Sequence, residues 1–154
     1  MSEEFQQTNS GASLTYPLEA GQIKKGGYIM IKDRPCKVIN VSTSKTGKHG
    51  HAKANFVAID IFNGKKIEDI IPTTHTTNVP NVNRFEYQLL DITDDEYCSL
   101  LDDNGNTRDD LQLPNYPDNL RNNIKKAFDN GKNCNISVLS ACGIDQIVDF
   151  KESL

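Results

Sequence analysis

The sequence predicts a mainly β chain built as two small barrels in tandem, and three observations carry that class. Short β-rich runs separated by close turns occupy most of the 154 residues, the pattern of small barrels. One stretch alone, near residues 117–130, has apolar residues at helical spacing. The charge also changes sign along the chain. Residues 16–83 hold ten Lys and Arg against five Asp and Glu, a balance of +5, whereas residues 84–154 hold seven against fourteen, a balance of −7. Two unlike surfaces on one short chain point to two domains, the first facing a polyanion and the second avoiding it or meeting another partner; the plain alternative is two solvated surfaces of unlike charge.

The elements follow in order. Residues 1–15 are polar and aperiodic and read as a flexible tail. Tyr28-Ile29-Met30-Ile31 is a strand, and Lys32-Asp33-Arg34-Pro35 turns into the next, Cys36–Val41. The polar stretch Ser42–Lys53 reads as an exposed loop, followed by a long strand, Ala54–Phe62. Asn63-Gly64 is a favoured two-residue hairpin turn, and Lys65–Ile71 returns from it until Pro72 closes the strand. Around Asn78–Asn83 the composition becomes polar, and the boundary between domains 16–83 and 84–154 is placed there.

The second half opens with Phe85–Ile92 and Tyr97–Leu101. Asn104-Gly105 turns the chain back toward Leu111-Gln112-Leu113. Pro117 and Asp118 suit a helix start, Leu120, Ile124, Ala127 and Phe128 supply its apolar face, and Gly131 its end. Strands Asn135–Ser140 and Gln146–Phe150 follow. Strands, one helix and further strands in about 70 residues are consistent with an OB-type barrel, and equally with other small β folds.

Composition bounds the function. Hydrophobic residues at 36% and charged ones at 25% are ordinary for a globular protein. No apolar run approaches the ~20 residues that cross a bilayer, and the N-terminus lacks a secretory pattern. A soluble, cytoplasmic protein without membrane contact is expected. The four cysteines, Cys36, Cys98, Cys134 and Cys142, have no paired spacing and lie in apolar runs, so buried reduced thiols are expected rather than disulfides or zinc.

The chemistry concentrates in Ser42-Thr43-Ser44-Lys45-Thr46-Gly47-Lys48-His49-Gly50-His51-Ala52-Lys53. It holds no carboxylate and interleaves three lysines with glycine, hydroxyls and histidine. The bland reading is a solvated loop. The sharper one is a basic finger with Lys48 near its tip, flanked by two glycines that admit close approach. It is not a phosphate-binding P-loop, because Ser42 stands where that motif needs glycine and a strand follows instead of a helix. A Schiff-base Lys48 would need a desolvated pocket. His49 and His51 have no Asp, Glu or Cys nearby to complete a metal site, so no metal is expected. Asp102-Asp103-Asn104-Gly105-Asn106 is a hairpin turn and not a calcium loop, since Leu100 would occupy the first ligand position.

Ser42–Lys53 closely resembles the modification loop of the hypusine-containing eukaryotic translation factor 5A family. The resemblance continues through Asp60-Ile61-Phe62-Asn63-Gly64-Lys65-Lys66, Pro72-Thr73-Thr74-His75, Val79-Pro80-Asn81 and Tyr87–Ile92. It departs at Ala54-Asn55, where many members carry Val-His. The resemblance implies an N-terminal SH3-like barrel carrying the loop and a C-terminal OB-fold with one helix. It implies that deoxyhypusine synthase transfers an aminobutyl group from spermidine to Lys48, with NAD held in that enzyme, and that deoxyhypusine hydroxylase then adds a hydroxyl. It further implies a factor, not an enzyme, that binds the ribosome near the E site and aids peptide-bond formation at stalled sites, notably proline runs, and termination. Lys45, Thr46, Gly47, His49, Gly50, His51 and Lys53 would contact large-subunit rRNA, P-site tRNA or the modifying enzymes. No bound cofactor beyond the hypusine on Lys48 is implied, and a homodimer is compatible with the family.

Rival readings are a general RNA-binding or RNA-chaperone module, an enzyme using Lys48 as nucleophile, and a relative that kept the barrels without the translation role. The first would need a basic OB half with exposed aromatics. That half is acidic, and Phe85, Tyr87, Tyr97, Tyr116, Phe128 and Phe150 mostly fall in apolar patterns that place them in a core.

Overall fold

The structure, a computed structural model, describes residues 14–45 and 50–153. They form two compact units that divide between Asn81 and Val82, each with its own apolar core.

In the first unit β1 (Thr15–Glu19) leads through a short 3₁₀ turn, Ala20–Gln22, to β2 (Tyr28–Ile31), β3 (Arg34–Lys45), β4 (Ala52–Asp60), β5 (Lys66–Pro72) and β6 (Thr76–Pro80). Strands β2-β3-β4-β5 make a four-stranded sheet in that order, and β1 pairs with β6 in a separate ribbon. Inward-facing Ile29, Ile31, Cys36, Val38, Ala54, Phe56 and Ala58 share one core. This is the SH3-like barrel, built as a curled half-barrel sheet with a two-stranded ribbon. The alternation of β4 sets the two faces: Ala54, Phe56, Ala58 and Asp60 are buried while Lys53, Asn55, Val57 and Ile59 are not.

In the second unit β7 (Asn83–Ile92), β8 (Tyr97–Leu101), β9 (Thr107–Gln112), α1 (Leu120–Asp129), β10 (Asn133–Ala141) and β11 (Ile144–Ser153) follow. The sheet order is β11-β10-β7-β8-β9, the OB-fold with its helix between the third and fourth strands. Buried Leu120, Ile124 and Ala127 seat α1 on this core. Arg108 of β9 reaches Asp145 of β11 at 3.1 Å and joins the two sheet edges.

Several expectations change. Residues 1–13 lie outside the described residues, but Thr15 is no tail residue: it opens β1, and the Leu14 carbonyl accepts from the Asn81 amide at 2.9 Å. β6 occupies the stretch read as a polar boundary, because β1 supplies a partner some sixty residues away in sequence. Asn83, assigned to the first half, begins β7. The Lys32–Pro35 turn is a two-residue turn, Lys32 and Asp33 at φ 52° and 64°, and Arg34 and Pro35 already pair with β2. Asn63-Gly64 is half of a four-residue loop, since Asp60 and Lys65 close it by a 2.9 Å bond. Asp60 explains the difference: its carboxylate accepts from the amides of Phe62 and Asn63, at 2.8 and 3.2 Å, and organises the loop. β9 begins at Thr107, earlier than its charged sequence suggested. The helix starts at Leu120 because Asn119 sits at φ 70°. None of the cysteines is in a disulfide, and Cys142 is half-buried in the turn to β11 instead of buried.

Candidate functional site

The acid-free stretch Ser42–Lys53 is not one loop. β3 runs through Ser42–Lys45 and β4 begins at Ala52, so both ends of the stretch are paired strand. The register sets Ser42 opposite Asn55, Thr43 opposite Ala54, Ser44 opposite Lys53 and Lys45 opposite Ala52. Hydroxyl and lysine side chains do not prevent this pairing, because one face of the ladder has no core to fill. Ala54 is the last buried residue of the arm. The two rungs beyond it project about 7 Å at strand rise.

Thr46, Gly47, Lys48 and His49 lie outside the described residues, so the expected tip position of Lys48 does too. The flanking residues are described: Lys45, His51 and Lys53 are exposed and Gly50 is half-buried. No ion pair among the described residues engages Lys45 or Lys53. Both cations are therefore available to an anionic partner, and each phosphate they meet would release counterions.

Two features that support the arms escaped the sequence reading. Asn55 Nδ2 donates across the ladder to Ser44 Oγ at 3.4 Å. The Pro72–His75 turn also braces the second arm: the Thr73 amide donates to the Ala52 carbonyl at 3.0 Å, and the Gly21 amide to the Thr73 carbonyl at 2.9 Å. A Cβ on Gly21 would stand 3.2 Å from that carbonyl, so the close approach favours glycine there. Only the resemblance had drawn attention to Pro72–His75, and nothing local in sequence couples it to Ala52.

Below the hairpin, Asp60 is 1% exposed and pairs with Arg34 at 2.6 Å. Burial pushes its carboxyl up, but the Arg34 guanidinium and the two loop amides outweigh that and hold it below the usual carboxylate range. Beside it, burial and then the Asp60 charge raise the Cys36 thiol to about 11. A thiol so protonated is a core group and not a nucleophile.

The second unit offers a different surface. Tyr87, Phe128 and Phe150 pack against its core and Tyr116 is half-buried, but Phe85 and Tyr97, placed in the core by pattern, are 46% and 38% exposed. Their strands have one solvated face, and apolar pattern alone does not say which. Three of this unit's arginines are held by carboxylates: Arg84 by Glu86, Arg108 by Asp110 and Asp145, Arg121 by Glu96. With its arginines paired and a balance of −7 over residues 84–154, this unit offers little attraction to a phosphate backbone.

Family models match both halves of the chain: "Translation initiation factor 5A-like, N-terminal" over residues 13–75, and "Eukaryotic elongation factor 5A hypusine, DNA-binding OB fold" over residues 81–151. This chain belongs to the translation factor 5A family. Eukaryotic translation initiation factor 5A-1 of Arabidopsis thaliana is 59% identical over 155 residues, covering 99% of this chain and 98% of the relative. Factor 5A-1/2 of Solanum tuberosum is 60% identical over 144 residues, 94% of this chain and 89% of the relative. Among solved structures, the translation initiation factor eIF-5A family protein of Naegleria fowleri superposes with TM-score 0.83 at 56% identity, covering 90% of this chain and 99% of that one. Factor 5A of Methanococcus jannaschii gives TM-score 0.69 at 29% identity, covering 89% and 95%. The family is one of translation factors and not of enzymes, and no helix among the described residues is long and apolar enough to cross a membrane.

Proposed function

We propose that this translation factor acts in the cytoplasm through a hypusine built on Lys48. The observation that carries the reading is the acid-free, lysine-rich stretch Ser42–Lys53, held out on two paired arms whose described lysines are exposed. Deoxyhypusine synthase moves the aminobutyl group of spermidine to Lys48: an Nζ–C bond forms, the spermidine C–N bond breaks, and 1,3-diaminopropane leaves. Deoxyhypusine hydroxylase then inserts one oxygen atom of dioxygen into a C–H bond of the added chain, that enzyme supplying the two electrons that take the other oxygen atom to water. The product is a slender side chain approaching charge +2 where lysine carries about +1. It reaches into an RNA-lined channel near the ribosomal E site and bonds to phosphates and ribose hydroxyls of the P-site tRNA. Help of this kind is positional: it orients a stalled reactant, as at a proline run or during termination, without doing the bond chemistry. Lys45 and Lys53 supply attraction to rRNA and tRNA, and Thr46, Gly47, His49, Gly50 and His51 line the approach.

Lys48→Arg tests this. Guanidinium keeps the charge but is too weak a nucleophile to accept the aminobutyl group. The variant is expected to fold normally, to escape modification, and to yield no more peptide from a proline-rich message than unmodified protein does. Lys45→Arg is expected to be much milder. Equal peptide yield from Lys48→Arg and fully modified protein would remove Lys48 from the mechanism.

A further inference from the structure

Two strands end their sheets with one side unpaired: β5 in the first unit and β11 in the second. Such an edge is a row of amides and carbonyls on which another chain can add a strand. Both edges run along apolar sequence, Ile67-Glu68-Asp69-Ile70-Ile71 and Ile147-Val148-Asp149-Phe150, of the kind that pairs readily with its own copy. Each run is interrupted by one aspartate with a large apolar residue after it.

The two aspartates make the same bond. Asp69 Oδ1 accepts from the Ile70 amide and Asp149 Oδ1 from the Phe150 amide, each at 2.9 Å. Both amides belong to the free edge. On β5 the Lys65 carbonyl accepts from Asp60 and the Thr73 amide donates to Ala52. By alternation Ile67, Asp69 and Ile71 bond to β4, while Lys66, Glu68 and Ile70 turn away from it. On β11 the two-residue turn Cys142-Gly143 makes Ala141 and Ile144 a bonded pair. The count through the bulge at Ser137 leaves Phe150 turned away from β10. Pro72 has no amide to offer, so the outer edge of β5 from Ile70 to Pro72 presents no free donor.

The place of Asp69 gives that bond its weight. Its neighbours Ile67 and Ile71, on the same face of the strand, pack against the core, and Asp69 itself stands opposite buried Phe56. A carboxylate in a core-facing series is half-buried at a cost in solvation, which the bond from the Ile70 amide offsets. We propose that Asp69 and Asp149 close these two edges, keeping a second copy of this chain from extending either sheet. On β5 the closure also keeps the basic stretch clear: Pro72 stands opposite Lys53, so an added strand would lie beside the arm that Lys53 belongs to.

The test compares full-length variants by sedimentation over a range of protein concentrations, with circular dichroism as the check on fold. Asp69→Ala with Asp149→Ala is expected to associate at about tenfold lower concentration than the unmutated chain, the size of one hydrogen bond to a charged acceptor. Asp69→Asn with Asp149→Asn keeps an oxygen for each amide and is expected to match the unmutated chain. Adding Glu68→Pro to Asp69→Ala removes the neighbouring free donor without touching the β4 ladder, and is expected to reverse the association. Hydrogen exchange reads the cap directly. In Asp69→Ala, below the associating concentration, protection of the Ile70 amide is expected to fall about tenfold while that of Ala58 holds. Alanine variants no more associated than the unmutated chain overturn the closure, as does unchanged protection of Ile70. Asparagine variants that associate as the alanine ones do assign the effect to charge and overturn the cap. Association of Asp69→Ala that survives Glu68→Pro places the contact off the β5 edge and overturns it too.

Discussion

Asp60 shows how much one residue carries. Four groups converge on its buried carboxylate: Nε and Nη2 of Arg34 at 2.6 and 3.3 Å, and the amides of Phe62 and Asn63. Asp60→Asn keeps an acceptor but leaves the guanidinium without a counter-charge. Arg34 is 38% exposed, which screens the pair, so a cost of about 2 kcal/mol is expected from urea denaturation. The pH dependence has a definite sign. The folded carboxyl titrates below its unfolded value, so its stabilisation is present above about pH 4 and is lost as pH falls through the folded value. Unmutated protein should lose stability through that window and Asp60→Asn should lose less. Identical acid profiles would show that the pair contributes nothing. The sequence pattern places Asp60 within the strand Ala54–Phe62 and gives no sign of its partner Arg34, 26 residues away.

At the scale of an element, α1 shows which signals are local. Its apolar residues recur at helical spacing and three of them, Leu120, Ile124 and Ala127, are buried. Its end is written in Gly131, which has φ 76°; the amides of Gly131 and Lys132 return to the Phe128 and Ala127 carbonyls, each at 3.0 Å. A Cβ there would meet nothing within 4 Å, so Gly131→Ala isolates backbone strain. The expected loss is about 1 kcal/mol, read as a shifted urea midpoint at constant slope. The hairpin β3–β4 is the contrary case. Only Thr43 in Ser42–Lys45 favours a strand, yet the whole segment pairs, because β4 provides its partner and the Thr73 amide braces β4 at the Ala52 carbonyl.

For the whole molecule the division of charge, +5 over residues 16–83 and −7 over residues 84–154, predicts where a polyanion would bind. With exposed Lys45 and Lys53 meeting phosphates, binding of the full chain to single-stranded RNA should weaken linearly in log salt. Replacing both by Gln should reduce that slope by about 1.4, the share of two single-strand phosphate contacts. Lys126→Gln with Lys132→Gln, on the acidic unit, should leave it unchanged. A slope reduced equally by the second pair would show that RNA reads total charge and not the arms.

The sequence alone determined what depends on near neighbours: most of the strands, the helix and its glycine end, the turn at Asn104-Gly105, and the acid-free stretch around Lys48 with its family. These are properties of a few adjacent residues, of their φ preferences and of apolar spacing. Tertiary structure decided what depends on partners far along the chain. It paired β1 with β6, lengthened the arms of the hairpin, buried Asp60 against Arg34, and left Phe85 and Tyr97 in solvent. It also turned Ile70 outward and Ile71 inward, a choice that a one-residue slip of register would reverse. Alternation along a strand defines two faces; only packing against other strands says which one meets water.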